Sequence, residues 1–130
     1  MSQNILVVDD EPQICELLSI YLRKQGFEVS AAGNAKATLS ALQQKTPDLV
    51  VLDIGLADDD GLRLLTDIKR SHPAVKVIML TGMGFVEDLL QDAVQKGADG
   101  YVSKDLPLDE LLMAIERMFK PGGTVLEGAV

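Results

Sequence analysis

Ile5-Leu6-Val7-Val8-Asp9-Asp10-Glu11-Pro12 decides the fold. Four apolar residues run unbroken into three acids, and a proline follows. An unbroken apolar run marks a strand covered on both faces, since a half-exposed strand alternates polar and apolar. Pro12 suits the first turn of a helix, where its missing N–H would have had no helical partner. From Pro12 to Lys24, Ile14, Leu17, Leu18, Tyr21 and Leu22 recur at helical spacing, and Gly26 suits the stop. The segment therefore reads strand, acidic loop, helix.

The same unit repeats outward from it. Phe27 to Ala32 reads as a second strand, and Asn34 as the N-cap of a helix from Ala35 to Gln44. Leu49-Val50-Val51-Leu52 is a third strand. Gly61 to Ser71 is a third helix, with Gly61, Leu64, Leu65 and Ile68 on one face. Val75 to Leu80 is a fourth strand. Phe85 to Lys96 is a fourth helix, broadly apolar and stopped by Gly97. Gly100 to Val102 and Leu108 to Phe119 complete the series, with Leu108, Leu111, Leu112, Ile115 and Phe119 inward. Strands alternating with helices predict an α/β fold, a single doubly wound five-stranded parallel sheet. Right-handed crossovers leave few topologies. Residues 121–130, beginning Pro-Gly-Gly, read as a tail or the start of a linker.

Composition narrows the function. A chain of 130 residues, 47% hydrophobic, is sized for one domain with a real core and is not a disordered chain. No apolar run nears the ~20 residues of a membrane span, and Met1-Ser2-Gln3-Asn4 lacks the basic region of a secretory signal. Cys15 stands alone, which excludes an internal disulfide and fits a reducing, cytoplasmic setting. The formal charge of −8 and the absence of Trp argue against direct nucleic-acid binding, which needs a basic face and stacking platforms.

In a doubly wound sheet, chemistry gathers at the carboxyl ends of the strands. Asp9, Asp10 and Glu11 follow the first strand, Asp53 the third, Thr81 and Gly82 the fourth, and Ser103 and Lys104 the fifth. Gly33 follows the second and brings no reactive group. Adjacent carboxylates repel one another and raise each other's pKa, and a divalent cation relieves that repulsion. All-oxygen ligands select Mg²⁺ or Mn²⁺. Lys104 adds a point cation suited to an anionic oxygen, and Thr81 a hydroxyl donor. Together these groups form a phosphoryl-binding arrangement in which Asp53 can be the nucleophile. Taken singly, each has a duller reading. A strand-end Asp is a common turn residue, Thr81 could cap the fourth helix, and Lys104 could be a solvated loop lysine. Asp58-Asp59-Asp60 could be a helix start favoured by the macrodipole. Cys15 reads as a small helix residue and His72 as a loop residue.

These residues resemble a known family. Ile5 to Pro12, Asp48 to Asp53, Asp60-Gly61-Leu62, Leu80-Thr81-Gly82 and Gly97 to Lys104, in this order and spacing, are similar to the response-regulator receiver domain of two-component signalling. The resemblance covers roughly residues 4–120, so residues 1–120 are expected to form the receiver. It implies a flavodoxin-like (βα)5 sheet of order 2-1-3-4-5. It further implies that Asp53 is the phospho-acceptor and that Asp9, Asp10, Asp53 and the backbone carbonyl of Gly55 hold Mg²⁺. Thr81 would follow the phosphoryl group, Tyr101 would be the aromatic switch, and Lys104 would contact a phosphoryl oxygen. The implied donor is a sensor histidine kinase or another phosphohistidine. The implied output is a self-association or partner face on the fourth helix, fifth strand and fifth helix, where Met113 falls outside the inward stripe.

The chain departs from the family pattern in three places. Asp105 follows Lys104 where many members have Pro, so that bond is expected to be trans. Gly55 has no side chain to shield an acyl phosphate. Thr81-Gly82-Met83-Gly84 carries two glycines, and a mobile loop is expected there. Lys104 and Thr81 are expected to touch only phosphoryl oxygens, so that their removal should spare the fold. Two alternatives stay open, a metal-dependent aspartyl-phosphate hydrolase and a receiver-like interaction module that never carries phosphate. The hydrolase would need a second acid beyond the nucleophile, where Gly55 stands, and a substrate cap.

Overall fold

The computed structural model describes residues 3–56, 60–82, 87–105 and 107–119. The elements, in chain order, are β1 (Asn4–Val8), α1 (Pro12–Lys24), β2 (Glu28–Ala32), α2 (Ala35–Gln44), β3 (Leu49–Asp53), α3 (Gly61–Ser71), β4 (Lys76–Thr81), α4 (Glu87–Gln95), β5 (Gly100–Ser103) and α5 (Leu108–Met118). The five strands form one parallel sheet in the order β2-β1-β3-β4-β5, as expected. The expected tail at 121–130, the Asp58-Asp59 part of the acidic cluster, Met83-Gly84 of the glycine loop, and Phe85 and Val86 lie outside the described residues.

Successive residues of β1 serve opposite faces of the sheet, because strand side chains alternate. Leu6 and Val8 join a core with Leu42 of α2, Leu64, Leu65 and Ile68 of α3 and Ala93 of α4. Ile5 and Val7 join a second core with Leu18 and Leu22 of α1 and Leu111, Ala114, Ile115 and Met118 of α5. Helices cover both faces, so β1, β3 and β4 are buried almost end to end. Each fully buried Leu or Ile contributes about 1.5–3 kcal/mol, so truncating Leu22 or Leu65 to Ala would cost about 2–5 kcal/mol.

Local chemistry sets the helix ends. The Asn34 side chain accepts from the Ala37 N–H at 2.8 Å, capping α2. Asp60 caps α3 by accepting from the N–H groups of Leu62 (3.0 Å) and Arg63 (3.3 Å). Gly26 and Gly97 follow α1 and α4 with φ of +98° and +102°, where a side chain would be strained. At the amino edge of the sheet, Asp99 accepts from Val77 N–H (2.9 Å) and Lys69 Nζ (3.1 Å), tying α3 and β4 to the turn before β5.

The structure corrects two helix faces. On α5 the buried stripe is Leu111, Ala114, Ile115 and Met118; Leu108 and Phe119 are half-buried but pack against the same core, as expected, whereas Leu112 is half-buried without joining it. On α1, Leu17 is exposed beside a cleft lined by Ile14, Pro107 and Leu108. Part of the apolar surface expected on α4 is core packing: Ala93 is buried, and Leu89 and Leu90 pack against the core.

Candidate functional site

The strand register brings the acids together. Val8 pairs with Leu52, so Asp9 and Asp53 leave adjacent strands side by side. Asp53 pairs with Leu80, and Thr81 with Ser103, which sets Thr81 and Lys104 at the next two strand ends. Backbone bonds extend the ladder past the strands: Asp9 N–H donates to Ala32 O (3.2 Å), Ile54 N–H to Leu80 O (3.0 Å) and Lys104 N–H to Thr81 O (2.7 Å). A covered parallel sheet thus delivers four chemical groups to one edge.

Asp9, Asp10 and Asp53 each offer a carboxylate oxygen, and these oxygens lie within 4.8 Å of one another. Lys104 Nζ sits 2.9 Å from Asp9 Oδ2 and 3.3 Å from Asp53 Oδ2. The other oxygen of each buried acid accepts a backbone N–H, Asp9 Oδ1 from Glu11 at 2.9 Å and Asp53 Oδ1 from Gly55 at 3.1 Å. Asp9 and Asp53 are nearly inaccessible, whereas Asp10 is half-buried. Burial pushes the Asp9 carboxyl above its ordinary range, against the lowering effect of the Glu11 N–H and of Lys104. Burial by itself would lower Lys104. Its hydrogen bond to Asp9 and the charges of Asp53 and Asp9 outweigh that, and the ammonium is held above the usual lysine value.

This donor set fits a hard divalent cation. Three carboxylates converge, among the described residues with no thiolate or imidazole in the group, and burial raises the pKa of one of them. Lys104 is not the solvated loop lysine of the duller reading, because its side chain bridges Asp9 and Asp53. Nor is it reserved for phosphoryl oxygens, as expected from sequence, since two carboxylates already hold it. Thr81 is fully buried as the last residue of β4. Tyr101 is buried in β5, with 1% of its surface exposed, within the core on the α2–α3–α4 side. The Lys104–Asp105 bond is trans, and Asp105 N–H donates to Ser103 Oγ at 3.1 Å.

The sequence named several neighbours without showing their contacts at the site. Cys15 donates its thiol to the Asp9 carbonyl at 3.3 Å, and burial, followed by the Asp9 charge, pushes its pKa up. Glu11 contributes its N–H to Asp9, while its carboxylate is exposed and 3.9 Å from Lys104. Gly61 is buried against the backbone of Asp53 and Ile54, a contact that its place on the inward face of α3 only partly foretold.

Residues 5–116 match the family model of the response regulator receiver domain. The chain belongs to this family. The receiver is 35% identical over 127 residues, 96% of its length, to the probable transcriptional regulatory protein TcrX of Mycobacterium tuberculosis, of which it covers 54%. It superposes on the crystal structure of the receiver domain of NtrX from Brucella abortus with a TM-score of 0.82 at 38% identity, covering 87% of this chain and 95% of that one. A CheY-like receiver domain protein from Methanospirillum hungatei gives a TM-score of 0.85 at 30% identity, covering 91% and 94%. The chain spans about half the length of TcrX and about a quarter of the curated NtrX relative it matches. Receivers are signalling domains that interact with histidine kinases, and they bind Mg²⁺ through an acidic pocket of the kind described above. Among the described residues no helix is long and apolar enough to cross a membrane.

Proposed function

We propose that this receiver accepts a phosphoryl group on Asp53 from a phosphohistidine donor, with Asp9, Asp10, Asp53 and the Gly55 carbonyl holding Mg²⁺ or Mn²⁺. The observation that carries the reading is the placement of Asp53. It is buried at the end of β3, beside two further carboxylates, with a lysine ammonium 3.3 Å away. The cation, when bound, screens charge between the acids and the incoming phosphoryl group. Asp53 then attacks phosphorus. The bond to the donor imidazole breaks, an acyl phosphate forms, and the imidazole nitrogen takes up a proton. Lys104 stabilises charge on a phosphoryl oxygen. This requires its ammonium to exchange a carboxylate partner for the phosphoryl group. Thr81 donates its hydroxyl to another phosphoryl oxygen, which favours the inward position that Tyr101 already occupies. The outcome is a two-state population shift at α4, β5 and α5. Val94 and Met113, each 45% exposed, would belong to the self-association or output face. The longer relatives support an output domain beyond the receiver in the full protein.

Incubation with acetyl phosphate and Mg²⁺, followed by intact mass measurement, tests the reading. One phosphoryl adduct is expected, lost in Asp53→Asn and suppressed by excess chelator. An adduct that survives either treatment would refute the assignment.

A further inference from the structure

Gly61 is the first residue of α3, and the space where a side chain would begin is already taken. A Cβ built there would lie 2.6 Å from the backbone oxygens of Asp53 and Ile54 and 2.8 Å from Ile54 Cα. All three are main-chain atoms of the residue proposed as acceptor and of the residue after it. The other glycines around the site are different. A Cβ at Gly33, Gly55 or Gly82 would meet its nearest neighbour at 3.9, 3.9 and 3.7 Å, which is ordinary contact. Relief of the clash to even 3.0 Å needs a shift of at least about 0.4 Å, the difference from 2.6 Å.

Neither partner yields readily. The helix is pinned by buried Leu64, Leu65 and Ile68 and by the Asp60 cap. The strand end is pinned by Ile54 N–H on Leu80 O at 3.0 Å. The Asp53 carboxylate hangs from this same stretch, with Oδ1 held by Gly55 N–H and Oδ2 facing Lys104. A shift of the Asp53–Ile54 backbone is therefore passed to the carboxylate.

We propose that Gly61 is a positioning residue for phosphoryl acceptance: its bare Cα lets α3 seat its first turn on the Asp53–Ile54 backbone and thereby aims the Asp53 carboxylate. The inference rests on Asp53 being the acceptor. It concerns geometry, so it predicts an effect on metal binding as well as on chemistry. Mg²⁺ requires near-ideal octahedral ligation, and a misplacement of about 1 Å costs on the order of a hundredfold in rate.

The experiment compares four proteins: wild type, Gly61→Ala, Asp60→Ala and Ile68→Val. Asp60→Ala loosens the first turn of α3 without adding an atom, and Ile68→Val weakens the same helix two turns away. Each is assayed for thermal unfolding, for Mg²⁺ affinity by titration followed by NMR, and for the rate of labelling by acetyl phosphate. Gly61→Ala is expected to raise the Mg²⁺ dissociation constant and to slow labelling by about tenfold each, short of the hundredfold that a full 1 Å misplacement would cost. Asp60→Ala should change both in the same direction by about threefold, and Ile68→Val should lower the melting temperature alone. Mg²⁺ affinity and labelling rate within twofold of wild type in Gly61→Ala would overturn the proposal. If that variant does not melt cooperatively, the same result in Asp60→Ala would overturn it. Equal functional losses in Ile68→Val would also overturn it, by reducing the effect to stability. Failure of wild type to be labelled at Asp53 would remove the acceptor reading itself, a result distinct from all of these.

Discussion

Replacement of Lys104 by Ala would leave two buried carboxylates facing each other without their cation. Nζ lies 2.9 Å from Asp9 Oδ2 and 3.3 Å from Asp53 Oδ2, and the two acids' side chains are only 1% and 5% exposed. Breaking a fully buried pair by removing one partner costs about 3–5 kcal/mol. The Lys104 side chain is itself 20% exposed, and water enters the space it leaves, so we discount the loss to roughly 1–3 kcal/mol. A 130-residue domain unfolds with about 0.27 kcal/mol per kelvin of entropy at its midpoint, so the melting temperature should fall by about 4–11 °C. The assay is circular-dichroism melting in chelator, repeated with Mg²⁺. The cation should stabilise Lys104→Ala more than wild type, because in wild type it competes with the ammonium for the same oxygens. A variant that melts within about 1 °C of wild type in chelator, or that gains less from Mg²⁺, would refute the reasoning.

Asp9→Asn removes a carboxylate whose folded pKa is raised, chiefly by burial. For such a group the native state binds more protons than the unfolded state between the ordinary value of 3.8 and the raised one, so stability is lost as pH rises through that window. In chelator the variant should therefore be more stable than wild type at neutral pH, with the gap closing as pH falls toward the ordinary range. Denaturant melts at several pH values, with Mg²⁺ titrations showing lost affinity, would check this. Thr81→Ala should still accept phosphate, with a loss of about 1–3 kcal/mol for the fully buried methyl and hydroxyl it removes. Its phosphorylation-induced chemical-shift changes on α4 and β5 should nevertheless shrink. Met113→Glu should weaken phosphorylation-dependent self-association in sedimentation runs without altering labelling, and unchanged assembly would remove α5 from the output face.

The sheet was legible because covered parallel strands have an unmistakable composition. Ile5 to Val8, Leu49 to Leu52 and Val77 to Leu80 are unbroken apolar runs that no amphipathic helix would show. The punctuation was equally readable: Asn34 caps α2, and Gly26 and Gly97 take positive φ. Helix faces were read less well. Leu17 and Leu18 are adjacent, and only tertiary packing puts Leu18 in the core and Leu17 at a cleft edge. On α5, Ala114 and Met118 join the core while Leu112 stays half-buried, a choice that tertiary packing makes and spacing alone does not show. At the site, residue types at strand ends announced the acids and Lys104. They did not announce that Lys104 bridges Asp9 and Asp53, since a side chain's partners depend on register between distant strands. The crowding at Gly61 was also hidden, because it involves backbone atoms alone.

Chemical trapping of the acyl phosphate tests the central claim most directly. The protein is labelled with acetyl phosphate and Mg²⁺ and reduced with borohydride, which converts an aspartyl phosphate to homoserine. Peptide mass spectrometry then locates the converted residue. The account predicts homoserine at position 53 and at no other acid. Homoserine at Asp9 or Asp10, or its absence from a protein that has gained a phosphoryl group, would contradict it.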